Sequence, residues 1–220
     1  MRGTDEELYD YGVLRKLDQA TMFVVHLERP TLVLGGSQSR DVVDLEKLGP
    51  VPLRRRRGGG GLVLLQPGDI WIDWWIPADD PRWSRDVHVS SLEVGSWWRD
   101  VLQPIVSGVV TVHAGSLTGD AEYRVVCFAG RGPGEVFVDG KKAVGVTQWR
   151  VREGIFLSSV LHTHPTLEVL DLLRDVPDGI ARALDHHTLS SMGISSPDEL
   201  VTLLEVTSGP WQVRQLLLSA

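Results

Sequence analysis

The sequence predicts an α+β fold in which a mixed, largely antiparallel sheet is flanked by helices. Three observations lead there. Short β-branched or apolar runs, each bounded by glycine or proline, recur along the first 160 residues. One long run, 87–106, instead spaces Leu92, Val94, Trp98, Val101 and Leu102 at helical intervals. The stretch after Pro165 breaks into short helical patterns.

In chain order, residues 6–20 carry Leu8, Val13, Leu14 and Leu17 among charges, which predicts an amphipathic helix. Residues 22–28 and 31–34 predict two strands joined by a tight turn at Arg29-Pro30. Ser39 is placed to cap a short helix over 41–48. Residues 62–65 and 70–76 predict a hairpin across Pro67-Gly68-Asp69. Strands are expected over 109–113, 124–128, 135–138, 142–149 and 155–159. Short helices follow over 166–173, 179–184 and 197–205, with a closing strand over 211–218. There is no internal repeat or long linker, so residues 1–220 are expected to form a single domain.

The totals exclude several classes. A net charge of −7 argues against a general nucleic-acid or membrane-surface binder. Cys127 is the single cysteine, so a disulfide framework is ruled out and a reducing, cytoplasmic setting is expected. The N-terminus is polar and has no apolar core of a signal peptide. No window reaches the length of a membrane span. Core packing is the expected role of the eight tryptophans, with lining of an apolar acyl tunnel as the alternative. His162, His164, His186 and His187 fit no closed zinc spacing.

Against this acidic body, residues 54–61 form a run of four arginines followed by four glycines. Glycines let a backbone approach a ligand closely, and arginines offer planar cationic forks. Alone, the run reads equally as a flexible basic turn or as a cradle for a small anion. A second constellation spans Cys127 to Gly145. It holds a glycine-rich loop at 130–134, the acidic Glu135, a turn at Asp139-Gly140, and Lys141 and Lys142. A lysine there is either a solvated turn charge or an electrophile that meets developing negative charge in a cleft. Cys127 is either a packed core thiol or a nucleophile beside the loop.

Taken in order, these motifs resemble the lipoate–protein ligase / octanoyltransferase family of the biotin/lipoate ligase fold. Arg55, Arg56, Arg57, Gly59, Gly60 and Gly61 fall on its Arg/Gly signature, with Gly58 in place of the family's Ser or Thr. The segment Gly35-Gly36-Ser37-Gln38 resembles its Gly-x-x-Gln loop. Glu135 matches its acidic position, and Lys142, three before Gly145, matches its essential lysine where Lys141 does not. Leu65 stands where the family commonly has His.

The resemblance implies a class II synthetase-like catalytic domain without the C-terminal accessory domain of larger ligases. It implies attachment of lipoate or octanoate to a lysine of a lipoyl domain or a glycine-cleavage H protein, with a separate accessory chain as a further partner. Lys142 would be catalytic. Gln38, the Arg/Gly residues, Glu135 and Gly145 would bind substrate or adenylate. ATP and Mg²⁺ are implied for a ligase, with Glu135 the candidate metal contact. Cys127 lies fifteen residues before Lys142, a spacing that resembles a transferase branch whose cysteine forms an acyl thioester without ATP. A non-catalytic acyl- or nucleotide-binding relative is the remaining alternative.

Overall fold

The computed structural model describes residues 6–194, 197–206, 209 and 211–218. The strands are β1 (Glu6–Glu7), β2 (Thr21–Leu27), β3 (Thr31–Leu34), β4 (Leu53–Arg55), β5 (Val63–Leu65), β6 (Ile70–Pro77), β7 (Val110–Val112), β8 (Val136–Val138), β9 (Lys141–Val151), β10 (Gly154–Leu161) and β11 (Gln212–Leu218). The α-helices are α1 (Tyr11–Leu14), α2 (Leu45–Leu48), α3 (Val87–Leu102), α4 (Ile180–Ala183) and α5 (Pro197–Val206). The α+β class holds, but the strands form two sheets, not one. Four strands order as β1-β4-β3-β5, and seven as β11-β2-β6-β10-β9-β8-β7.

Two expected hairpins are instead crossings between these sheets. β2 pairs with β6 and β11, whereas β3 pairs with β4 and β5. β5 likewise pairs with β3 while β6 lies between β2 and β10. The physical reason is burial. All four residues of β3 and all eight of β6 are buried, so both faces of each need a covering layer. A two-stranded ribbon supplies none. The second crossing is pinned by Asp69, whose carboxylate accepts from the Gln66 and Thr163 N–H groups, each at 2.9 Å.

The expected helix over 6–20 reduces to the four-residue α1, capped by Asp10. Glu6 and Glu7 pair in parallel with Arg54 and Arg55, and Leu8, Tyr9 and Tyr11 are buried. That run of near-continuous burial matches a chain threaded between two layers, not a helix with one wet face. The expected strand over 124–128 is a 3-10 turn, Glu122–Val125, followed by a single bridge from Val126 to Leu62. The helix over 41–48 splits into a 3-10 turn capped by Ser39 and then α2, capped by Asp44.

The large sheet has a core on each face. Trp71, Trp75 and Phe156 meet Leu32, Val33, Leu34 and Leu64 of the small sheet. Ile72, Trp74, Ile76 and Leu157 meet Val94, Trp98 and Leu102 of α3 and Leu200 and Leu204 of α5. No helix among the described residues is long and apolar enough to cross a membrane.

Candidate active site

Successive residues of an extended chain point to opposite sides, and the arginine run divides accordingly. Arg54 forms an ion pair with Glu6. The Nη1 of Arg55 donates to the carbonyls of Gly35 and Gln38 at 3.1 and 2.7 Å, tying down the loop after β3. Arg57 donates through Nε to Glu7 at 2.7 Å and stacks 4.9 Å from the ring centroids of Tyr11 and Trp149. Arg56 turns inward and folds back over the glycines. Its Nε and Nη2 donate to Gly59 O at 3.1 and 2.8 Å, and Nη2 also donates to Gly61 O at 2.7 Å. Its Nη1 is buried without a hydrogen-bond partner.

Two glycine loops meet backbone to backbone here. A Cβ on Gly35 would lie 1.9 Å from Gly60 O, and Gly60 adopts φ +90°. Gln38 spans the same junction: its Oε1 accepts from Gly35 N–H and its Nε2 donates to Val125 O, both at 2.9 Å.

Lys142 reaches the site through a β-bulge. Val136 pairs with Val144, but Phe137 pairs with Lys142, so Ala143 is the extra residue. A bulge reverses the strand's alternation and re-aims side chains. It puts Lys142 on the face of Gly145 and Thr147, between the sheets, while Lys141 turns away to Asp185 at 2.5 Å. Lys142 Nζ lies 2.6 Å from Glu135 Oε1 and donates to Gly130 O at 3.0 Å. Glu135 Oε2 accepts from Gly132 N–H at 2.7 Å. Both side chains are nearly buried, at 6% and 11% exposure.

These groups stand at one end of a cavity of about 50 Å³ between the sheets. Leu8, Val33, Val63, Leu65, Trp71 and Val160 line its apolar part. Arg56, Cys127, Glu135 and Lys142 line its polar end, which adjoins an open cleft of about 480 Å³. Gln38, Gly59, Gly60 and Gly61 line that cleft. Arg55 and Arg57 line neither space. Gly145 lines the cavity, and its missing Cβ admits the Phe128 ring, which would be 2.9 Å away.

The sequence matches no family model, and no curated protein matches it. Solved structures do match. A lipoate-protein ligase A bound with ATP superposes with a TM-score of 0.72 at 16% identity, over 96% of this chain and 83% of that one. The fold is that of the lipoate–protein ligases. A T. acidophilum protein described as a lipoate protein ligase, with bound lipoic acid, gives 0.70 at 16% identity over 98% and 86% of the two chains. A bi-partite lipoate protein ligase from Thermoplasma acidophilum, described with its E2 lipoyl domain, gives 0.67 at 18% over 96% and 81%.

Within this lipoate-ligase fold, Phe128 was not foreseen. It adopts φ +74°, a strained value for a non-glycine residue. Its ring centroid is 4.9 Å from Lys142 Nζ and 4.7 and 4.8 Å from the rings of His162 and His186. His162 is fixed by Asp69 Oδ2, 2.9 Å from its Nδ1. Burial pushes the His186 imidazole down to about 4, with His162 nearby adding to the shift. Nothing in the spacing of these histidines signals that they share one aromatic packing block behind the site.

Cys127 Sγ lies 3.3 Å from Arg56 Nη2 and donates to Gly61 O at 3.1 Å. Among the described residues, no group of three or more His, Cys, Asp or Glu could hold a metal ion. Glu135 is the carboxylate lining the cavity, and both its oxygens are engaged within the chain. This donor set does not fit a resident magnesium ion, which needs near-octahedral oxygen ligation. What the arrangement offers is two buried cations at the junction of an apolar slot and an open, glycine-walled cleft.

Proposed function

We propose that the protein attaches an acyl group, lipoate or octanoate, to a lysine amine of a lipoyl-domain or H-protein acceptor, in an ATP-dependent reaction. The observation that carries this reading is the placement of Lys142. The bulge brings one buried ammonium to the point where an apolar cavity meets an open cleft. The acyl chain is placed along the apolar lining of the cavity, which must widen beyond its present volume to admit eight carbons, with the carboxyl carbon beside Lys142 and Arg56. An adenylate's phosphate would occupy the glycine-walled cleft, where N–H groups and fixed cations stabilise negative charge. Lys142 would hold the acyl oxygen as charge develops on it, and the acceptor amine would approach through the cleft. Glu135 keeps Lys142 oriented before the substrate arrives. The likeness to structures described with ATP, with lipoic acid and with a lipoyl domain supports the same reading.

A second reading makes Cys127 the acyl carrier. Its sulfur lines both the apolar cavity and the open cleft, 3.3 Å from the Arg56 guanidinium. The two readings part on one comparison. In acylation of a lipoyl domain with lipoate and ATP, Lys142→Ala is expected to abolish transfer and Cys127→Ala to retain it. Loss of transfer in Cys127→Ala, with an acyl thioester trapped on the wild type, overturns the first reading in favour of the second.

A further inference from the structure

The apolar cavity has a far end, and one side chain closes it. On the large sheet the cavity rests on β9, β10 and β6, through Gly145, Val160 and Trp71. The layer between the two sheets continues past β6 onto β2 and β11, the next strands in order. There it opens again as an outer cleft of about 240 Å³, with Leu27, Leu216 and Leu218 on the large sheet and Glu6, Glu7 and Arg54 on the small one. Among the described residues, Leu8 alone lines both the cavity and this outer cleft. The proposed transfer makes no use of the outer cleft.

Leu8 is fastened on both sides. Its N–H donates to Arg55 O at 2.9 Å. Before it, Glu6 pairs with Arg54, and Glu7 accepts from Arg57 Nε at 2.7 Å. After it, Tyr9 Oη donates to Asp73, a carboxylate fully buried at the centre of β6 that also accepts from Trp71 Nε1 at 2.7 Å. Tyr9 packs edge-on against Tyr11 and Phe156, at centroid distances of 5.6 and 5.4 Å. Displacing Leu8 would break these contacts together, so the segment is a fixed end and not the wall that widens. The distances fit a length limit. At about 4.8 Å per strand, the layer runs roughly 10 Å from β9, which carries Lys142, to β6, and roughly 19 Å from β9 to β11. The first is comparable to an extended octanoyl chain; the second takes a chain about twice as long.

We infer that Leu8 sets the length of acyl chain that the site accepts: its side chain is the stop for the far end of the chain, and trimming it joins the cavity to the leucine-lined outer cleft. The inference rests on the acyl reading of the site and narrows its substrate class to chains of about eight carbons. The test is equilibrium binding of octanoate and dodecanoate to the full chain by calorimetry. The wild type is expected to bind dodecanoate at least roughly tenfold more weakly, because a chain stopped at Leu8 cannot also bring its carboxylate to Lys142 and Arg56. In Leu8→Ala the order should reverse. Four further methylenes half-buried on Leu27, Leu216 and Leu218 are worth roughly tenfold, since full burial of one is worth about fourfold. Leu8→Val, which disturbs packing less, should shift the ratio in the same direction by a smaller factor. Equal binding of the two acids by the wild type overturns the inference whether or not either variant folds. So does a wild-type ratio in Leu8→Ala or Leu8→Val shown to be folded by circular dichroism. Each of these results, with octanoate bound, leaves the acyl reading standing. Binding of neither acid by the wild type overturns the acyl reading itself.

Discussion

Replacing Glu135 by Gln leaves Lys142 charged and buried with only Gly130 O to receive it. The neutral amide still accepts from Gly132 N–H, so the change isolates the ion pair. The pair is 2.6 Å apart with side chains 6% and 11% exposed, so solvent screens it little. Removing one partner of a buried pair costs about 3–5 kcal/mol, and the residual exposure of Glu135 places this case near 3. For a chain of this size that corresponds to a fall in Tm of roughly 6–12 °C. Adding Lys142→Met removes the orphaned charge, so the double variant should recover at least half of the loss. Thermal unfolding followed by circular dichroism, on the wild type, both single variants and the double variant, closes the cycle. A Tm for Glu135→Gln within 2 °C of the wild type, or a double variant no more stable than the single one, would refute the reasoning that this pair is desolvated.

Other predictions concern the glycine junction, the arginines and the histidines. Gly35→Ala drives a Cβ into Gly60 O and should cost about 1–3 kcal/mol, whereas Gly59→Ala, with nothing within 4 Å of its Cβ, should stay within about 0.5 kcal/mol in urea unfolding. Arg56→Lys loses the fork that holds Gly59 O and Gly61 O and should lower acyl transfer at least roughly tenfold, while Arg57→Ala removes a half-exposed ion pair and should cost less than about 1 kcal/mol of stability. His186 is neutral in the folded state down to about pH 4, whereas the unfolded chain protonates it near its ordinary value of 6.5. The unfolded state therefore binds more protons between these values, and its share of stability is lost as pH falls from about 6.5 to 4, by roughly 3 kcal/mol. His186→Phe should flatten that stretch of the stability–pH curve, and an unchanged slope would contradict the assignment.

Much of this architecture was legible in the sequence, and the failures have physical causes. The run 124–128 forms a 3-10 turn and the short strands β1 and β4 carry no strand signal, but most strands are legible because β-branched and aromatic runs such as Ile70–Pro77 have no helical period. Their partners were misread because turn residues at 29–30 and 67–69 specify a reversal, not which sheet receives the next strand. Burial on both faces decides that, and it depends on residues far away in sequence. The segment 8–14 misled because Leu8, Leu14 and Leu17 match a helical face, while Tyr9 and Tyr11 are also buried. At the site, Lys142 could be told from Lys141 only by motif spacing; the bulge at Ala143 is the structural cause and leaves no local sequence mark. The arginine run was weighted as a block, although an extended chain can turn only alternate side chains inward. Asp73 was the signal left unread: one carboxylate in the middle of IWIDWWI marks a buried network, not a surface position.

The central claim, acyl transfer onto an acceptor lysine, is tested most directly by intact-mass spectrometry of a lipoyl domain incubated with the protein. Donors are supplied in separate reactions: a free acyl acid with ATP, or an octanoyl-carrier protein without ATP. The account predicts a mass gain of one acyl group on the acceptor in the first reaction, absent without ATP and absent with Lys142→Ala. No acceptor modification from either donor, with lipoate and octanoate both tried, would contradict it.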